Sequence, residues 1–227
     1  MNGGRGPRQL TLDLDHAESY ARDDFLGGPS NAAALTLIDG WPDWPNRVVS
    51  LIGPEGSGKS HLAAIWAAQT GARCVAARTL ADTEVPAALA TGALVVEDAA
   101  EAAFDETAMF HLLNLAREEG AFVLLTARTA PAAWTIRTPD LASRLKALPV
   151  VALAPPDDAL LRAVLVKLFA DRQLGVDEQL IGYVATRIGR SFADARAAVA
   201  TLDQEAMRRR RPLTRSLAAE VLRTNEP

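Results

Sequence analysis

The stretch GPEGSGKS, Gly53 to Ser60, carries the strongest chemical signal in the sequence. It follows the pattern G-x-x-x-x-G-K-[ST], in which backbone N–H groups converge on phosphate oxygens. Gly53, Gly56 and Gly58 let the backbone curl where a side chain would obstruct it. Pro54, Glu55 and Ser57 fill the variable positions, and His61 follows directly. In such a loop Lys59 reaches the β- and γ-phosphates and Ser60 ligates Mg²⁺. The implied ligand is ATP or ADP with Mg²⁺.

Phosphate chemistry of this kind needs an acid on the metal side. ALVVED, residues 93–98, supplies Glu97 and Asp98 at the end of an apolar run. Glu97 is expected to hold a metal-bound water, and Asp98 to act as the base that orients an attacking water. P-loop ATPases usually carry the Asp before the Glu, and here the order is reversed. Asp98 is shorter than glutamate by one methylene, and misplacement of that order costs hydrolysis heavily. The sequence therefore predicts slow intrinsic hydrolysis. Two solvated acids at a strand end are the alternative.

These residues must be held by a strand before the loop and a helix after it. RVVSLIG reads as that strand and KSHLAAIWAAQTGA as that helix. RCVAA, ALVVED, AFVLLTAR and PVVALAP are further apolar strand candidates, alternating with the helical stretches DETAMFHLLNLAREEG and PDLASRLKAL. Such alternation predicts a parallel, five-stranded α/β sheet covered on both faces. Upstream, PSNAAALTLIDG reads as a short helix, capped by Ser30 or Asn31 and stopped by Gly40. Beyond Pro155 the strands stop, and helical stretches follow to the end. The predicted organisation is a flexible arm over 1–19, a nucleotide-binding α/β domain over 20–155 and a small all-helical domain over 156–227.

The chain has 227 residues, 49% hydrophobic and 23% charged, with a net charge of −4. Bulk charge therefore does not make it a polyanion binder. Its one cysteine, Cys74, precludes an internal disulfide and fits a reducing compartment. In its apolar context Cys74 is expected to be a small buried hydrophobe. The three histidines show no metal-ligand spacing. No stretch has the length or pattern of a signal peptide or a membrane span. The expectation is a soluble cytoplasmic protein with no membrane partner.

A strand-rich core followed by a helical lid resembles the AAA+ class of P-loop ATPases. That resemblance makes Thr126, at the end of VLLTAR, a polar sensor beside the γ-phosphate, with Arg128 nearby. It makes Arg144, in PDLASRL, an arginine finger aimed at a neighbouring subunit's nucleotide. It makes Arg196, in SFADARAAV, a second sensor reaching back from the lid. DDFLGGPSNAAAL, the phosphate loop, PDLASRL, ALAPPDDALLRAVLVKLFADRQLGVDE and SFADARAAVATLDQ together resemble the bacterial DnaA family, including its shorter Hda branch. The resemblance runs from about Phe25 to Leu222. It implies that Phe25, Leu26 and Gly28 lie against the adenine. The chain departs from the family pattern at the reversed Glu97–Asp98 pair, at Arg128 in place of the usual Asp, and in the Ala-rich TLADTEVPAALATGA. DnaA carries a helix-turn-helix DNA-binding domain beyond its lid, and no such module is legible here, so no sequence-specific DNA contact is expected. The basic run RRRRP, Arg208 to Pro212, reads as a solvated helix end, with nonspecific phosphate contact as the alternative.

QLTLDL, near the N-terminus, then acquires a reading. Gln9 is followed by Leu10, Leu12 and Leu14 on alternate positions, which an extended chain presents on one face. Such a segment is either an edge strand or a peptide ligand for an apolar pocket. It resembles the motif by which Hda and other replication proteins bind the DNA polymerase III beta sliding clamp. The resemblance thus implies a replisome-associated negative regulator of replication initiation with DnaA and the clamp as partners. The regulator would use Arg144 to stimulate ATP hydrolysis by DnaA, and the class also allows a homo-oligomer. A stand-alone AAA+ ATPase, such as a helicase loader, and a nonenzymatic DnaA-binding adaptor are the rivals.

Overall fold

The computed structural model describes residues 20–100 and 104–223; the QLTLDL segment, Gln9 to Leu14, lies outside the described residues. Five parallel strands form one sheet: β1 (Val48–Ile52), β2 (Arg73–Ala76), β3 (Ala93–Glu97), β4 (Phe122–Ala127) and β5 (Val150–Ala152), in the spatial order β2-β3-β4-β1-β5. The inner strands read VVSLI, ALVVE and FVLLTA and are almost wholly buried. Continuous apolar runs are what a sheet covered on both faces requires.

α1 (Ala32–Asp39) precedes β1, and helices fill the crossovers: α2 (Lys59–Thr70), the short α3 (Val85–Ala88), α4 (Glu106–Glu119) and α5 (Pro139–Lys146). Two cores result, one on each side of the sheet. Ile38, Leu51, Leu62, Trp66 and Leu124 pack with α1 and α2 on one side. Leu94, Val96, Met109, Leu112, Leu125 and Leu141 pack with α4 and α5 on the other. A third core lies within α6 (Asp158–Asp171), α7 (Glu178–Ala185), α8 (Phe192–Arg209) and α9 (Arg215–Arg223), around Leu165, Phe169, Val199, Leu202 and Leu217.

Local chemistry sets the helix ends. Asp105, Asp157, Asp177 and Ser191 cap α4, α6, α7 and α8, each side chain accepting a hydrogen bond from a first-turn N–H. Gly71 and Gly120 end α2 and α4 in the left-handed region, at φ of 72° and 66°. Three expectations are refined. Asn31 stands at the start of α1 but does not cap it with its side chain. It turns back instead, accepting from Gly28 N–H at 2.8 Å and donating to Leu26 O at 3.0 Å. Cys74 is exposed, not buried, because β2 is an edge strand. The basic run is stitched to its surroundings: Arg208 and Arg209 pair with Glu205, and Arg209 and Arg211 with Glu220.

Candidate functional site

In a parallel sheet the C-terminal ends of all strands lie at one edge, and the predicted chemical groups gather there. The phosphate loop leaves β1. Gly53 N–H donates to Ala127 O at 3.1 Å, which ties the loop's first residue to the end of β4. At the end of β3, Asp98 N–H donates to Thr126 Oγ1 at 3.3 Å and Ala99 N–H to Thr126 O at 2.9 Å. These bonds join the ends of β3, β4 and β1 into one surface. Thr126 is buried, and its hydroxyl keeps its proton for donation while it accepts from Asp98. Asp98 has a φ of 58°, a left-handed conformation that Asp tolerates better than most residues. Glu97 closes β3 and is partly buried; partial burial of the Cys74 sulfur, and after it the Glu97 carboxylate, hold the Cys74 thiol above its ordinary range.

The loop itself is closely packed. Lys59 is buried, and its Nζ donates to Gly53 O at 2.8 Å and Pro54 O at 2.9 Å, so the loop curls around the ammonium. Gly56 and Gly58 take φ of 70° and 100°. A Cβ at Gly56 would stand 2.8 Å from Ser191 Cβ and 2.9 Å from Ala193 Cβ, and one at Gly58 would stand 3.1 Å from Phe25 Cε2. Ser57 Oγ is buried among the described residues with no hydrogen-bond partner. A glycine cradle, a sunken lysine and an unsatisfied hydroxyl at the start of a helix make a donor set suited to phosphate oxygens.

A cleft of about 810 Å³ opens between this loop and the α6–α8 helices. On the loop side it is lined by Glu55, Gly56, Gly58, Ser60 and His61, with Phe25 and Leu26 from the preceding segment. His61 stands edge-on to both Tyr20 and Phe25, with ring centroids 5.2 Å and 5.1 Å apart. On the helical side the wall includes Phe192, Ala193 and Arg196 of α8 and Val164, Lys167, Leu168 and Asp171 of α6. Two contacts bridge the walls. Phe192 N–H donates to Gly56 O at 2.8 Å, and Lys167 Nζ pairs with Asp24 at 2.7 Å as well as with Asp171 at 2.8 Å. Hydrogen bonds donated to the two carboxylates, Asp171 first, hold the Lys167 ammonium above its ordinary pKa.

The remaining sequence-predicted residues fall elsewhere. Gly28 does not line this cleft; a Cβ there would stand 3.0 Å from Leu160 Cδ2, so its smallness serves packing against α6. Gly53, Pro54, Ser57 and Lys59 form the loop behind the cleft wall. Arg144 also lies outside it. Its guanidinium sits 4.6 Å over the Phe110 ring and donates to Asn114 Oδ1, both on α4. The N-terminus of α5 is fastened to α4 as well, where Glu106 accepts from the N–H groups of Arg137 and Thr138 and from Thr138 Oγ1. Sequence reasoning did not single out Tyr20, Asp24, Lys167 or Phe192. The Lys167–Asp171 spacing on α6 and the aromatic at Phe192 beside the cap Ser191 were the available signals. Among the described residues no cluster of His, Cys, Asp and Glu is arranged to hold a metal by itself, and no helix is long and apolar enough to cross a membrane.

No family model matches the chain. The chromosomal replication initiator protein DnaA of Caulobacter sp. (strain K31) is 29% identical over 83% of this chain and 45% of its own length. The chain thus spans less than half of the curated relative it matches. Among solved structures, domain III of the Thermotoga maritima replication initiation protein DnaA superposes with a TM-score of 0.73 at 18% identity, covering 96% of this chain and 98% of that one. AMPPCP-bound DnaA from Aquifex aeolicus gives 0.67 at 16% identity, over 83% and 66% of the two chains. The Thermotoga maritima RuvB Holliday junction branch migration motor gives 0.68 at 18%, over 91% and 72%. The fold is that of a DnaA-related AAA+ P-loop NTPase: a parallel five-stranded sheet with its helices.

Proposed function

We propose that this chain is a regulator of replication initiation that binds an adenine nucleotide and acts on DnaA as an AAA+ neighbour. The loop N–H groups and Lys59 hold the phosphates, Ser60 and Glu97 serve Mg²⁺, and the Phe25–His61 side of the cleft receives the base. Arg196 completes the site from α8. The reversed Glu97–Asp98 pair makes the nucleotide chiefly a ligand that sets conformation, stabilising the fold by mass action. Arg144 is then the acting residue. It supplies positive charge to the nucleotide of DnaA, where such an arginine accelerates hydrolysis by about 10³- to 10⁵-fold. Gln9, Leu10, Leu12 and Leu14 tether the protein to the sliding clamp as an extended peptide.

The observation that carries this reading is the position of Arg144, outside the chain's own cleft and mounted on a helix fastened at both ends to α4. Arg144 is only partly buried there, and to meet the nucleotide of a second molecule its guanidinium must leave Phe110 and Asn114. The test has two parts. Equilibrium binding to the clamp is measured for the full chain and for one lacking residues 1–14; only the full chain is expected to bind. ATP hydrolysis by DnaA is then followed on loaded clamp with wild-type protein and Arg144→Ala. Stimulation that survives the substitution refutes the role of Arg144 and favours an adaptor. Equal clamp binding by both chains refutes the tether.

A further inference from the structure

Charge is unevenly divided along the chain. In residues 156–223 Arg and Lys outnumber Asp and Glu by twelve to nine, while in residues 20–155 they are outnumbered by ten to fifteen. The basic side chains of the helical unit are not all alike. The conspicuous run is largely neutralised, since Arg208, Arg209 and Arg211 pair with Glu205 and Glu220. Arg190 pairs with Asp158, and Lys167 with Asp24 and Asp171. Arg162, Arg187 and Arg215 differ. They come from α6, from the turn after α7 and from the first position of α9, and among the described residues no carboxylate lies within ion-pair distance of any of them.

α7 brings these three together. Arg187 stands over the Tyr183 ring, its Cζ 4.8 Å from the centroid, and its Nη1 donates to the Tyr183 hydroxyl at 3.0 Å. Arg215 Cζ lies 5.5 Å from the same centroid. One residue earlier, a Cβ at Gly182 would stand 3.2 Å from Arg162 Nη1, so the missing side chain lets that guanidinium lie against α7. Tyr183 is partly buried against the core of the helical unit, which fixes the platform on which Arg187 and Arg215 rest. Its hydroxyl accepts from Arg187 and keeps its own proton to donate. Glu178, in the first turn, is the one acid that α7 itself contributes. None of these residues lines the cleft beside the phosphate loop.

We propose that this face of the helical unit, built from Arg162, Tyr183, Arg187 and Arg215, binds the phosphate backbone of duplex DNA without reading its sequence. Three unneutralised guanidiniums and a phenolic donor complement a surface of regularly spaced anions, and guanidinium has the fork that matches phosphate oxygens. A membrane surface would need apolar side chains to enter it, and Leu180, Ile181 and Val184 of α7 and Leu217 and Val221 of α9 are buried in the core. The choice of duplex among polyanions rests on the clamp tether proposed above, because a clamp loaded on DNA holds the protein beside a duplex. Three phosphate contacts bind weakly alone, but a short tether raises the effective concentration to about the millimolar range. The patch would thus orient a protein already held at the clamp.

The test is fluorescence anisotropy of a labelled duplex of about 20 base pairs, titrated with the full chain at about 20–200 mM salt, without clamp or DnaA. Three phosphate contacts predict that log K falls with log salt at a slope of about −2.7, a loss of about fortyfold between about 50 and 200 mM. R187A/R215A is expected to weaken binding at least about tenfold at low salt and to bring the slope to about −0.9; R162A alone brings it to about −1.8. The control R208A/R211A removes as much charge from the paired run and is expected to keep the wild-type slope. Melting of R187A/R215A is expected to match wild type, since both side chains are exposed. Equal weakening by the two double variants would reduce the effect to bulk charge and overturn the patch, as would a wild-type chain that leaves the duplex unbound at the lowest salt. Binding to vesicles of phosphatidylglycerol and phosphatidylcholine as tight as to the duplex overturns the choice of DNA. With clamp and DnaA absent from the assay, these outcomes are distinct from failure of the tether or of Arg144.

Discussion

Gly56→Ala tests whether the helical unit rests on the phosphate loop. The added methyl carbon would lie 2.8 Å from Ser191 Cβ and 2.9 Å from Ala193 Cβ, well inside the separation of about 3.5–4.0 Å at which carbon atoms attract. Neither neighbour is the far end of a flexible chain, so α8 must move. That movement breaks the Phe192 N–H bond to Gly56 O. Overpacking costs about 1–3 kcal/mol and a lost net hydrogen bond about 1 kcal/mol. The left-handed backbone, φ 70°, adds about 1 kcal/mol for any residue with a Cβ. Gly120→Ala is the matched control: its φ is 66°, and a Cβ there meets nothing within 4 Å. The control should lose about 1 kcal/mol, or about 2–4 °C of melting temperature, and Gly56→Ala about 3–5 kcal/mol, or about 6–20 °C. Both are measured without nucleotide by thermal denaturation, alongside hydrogen exchange at the Phe192 amide. Equal losses at the two glycines, with the Phe192 amide protected in both, would refute the contact.

Asn31→Ala removes both bonds to the Leu26–Gly28 segment from a side chain that is 2% exposed, and should cost about 2–3 kcal/mol in denaturant unfolding. Glu106 is held below its ordinary pKa of 4.5, first by the Arg137 N–H and then by Thr138. A carboxyl lowered on folding binds fewer protons in the folded state, so its stabilisation is present above the unfolded pKa and lost as pH falls through the folded one. Glu106→Gln should therefore flatten the fall in melting temperature below about pH 4.5, and an unchanged acid limb would count against the clamp on α5. Cys74 should react with a thiol reagent in the native protein, more slowly than a free cysteine at pH 8 and faster as pH rises, because its thiol pKa is raised. A requirement for denaturant would contradict its edge position.

Much of the fold was legible because its signals are local. Every apolar run read as a strand is one, and the helices after the loop and after Pro155 stand where capping and periodicity put them. Strand order was not legible, since β1 pairs with segments far along the chain. The misreading of Cys74 follows from that: RCVAA is apolar enough for a central strand, and only the order β2-β3-β4-β1-β5 makes it an edge. The phosphate-loop pattern was legible because its spacing is fixed, whereas Thr126 was singled out through the family resemblance. The helical wall of the cleft was not legible, because Lys167 and Phe192 meet Asp24 and Gly56 across more than a hundred residues of sequence, where no spacing rule operates.

The pairing of β1 also fixes when the phosphate loop can exist. Its strand, Val48–Ile52, has one neighbour at Phe122–Ala127 and the other at Val150–Ala152. The loop's own anchors are Ala127 O, which accepts from Gly53, and Leu153, whose N–H donates to Ile52 O. A ribosome adding about 5–20 residues per second therefore exposes the loop's sequence for about 5–20 s before the strands that shape it have been made. During that interval β1 has neither of its strand neighbours, and α1 and α2 are the elements of its core already made. The loop that would hold a ligand is thus translated well before the strands that shape it, and its final geometry waits for β5.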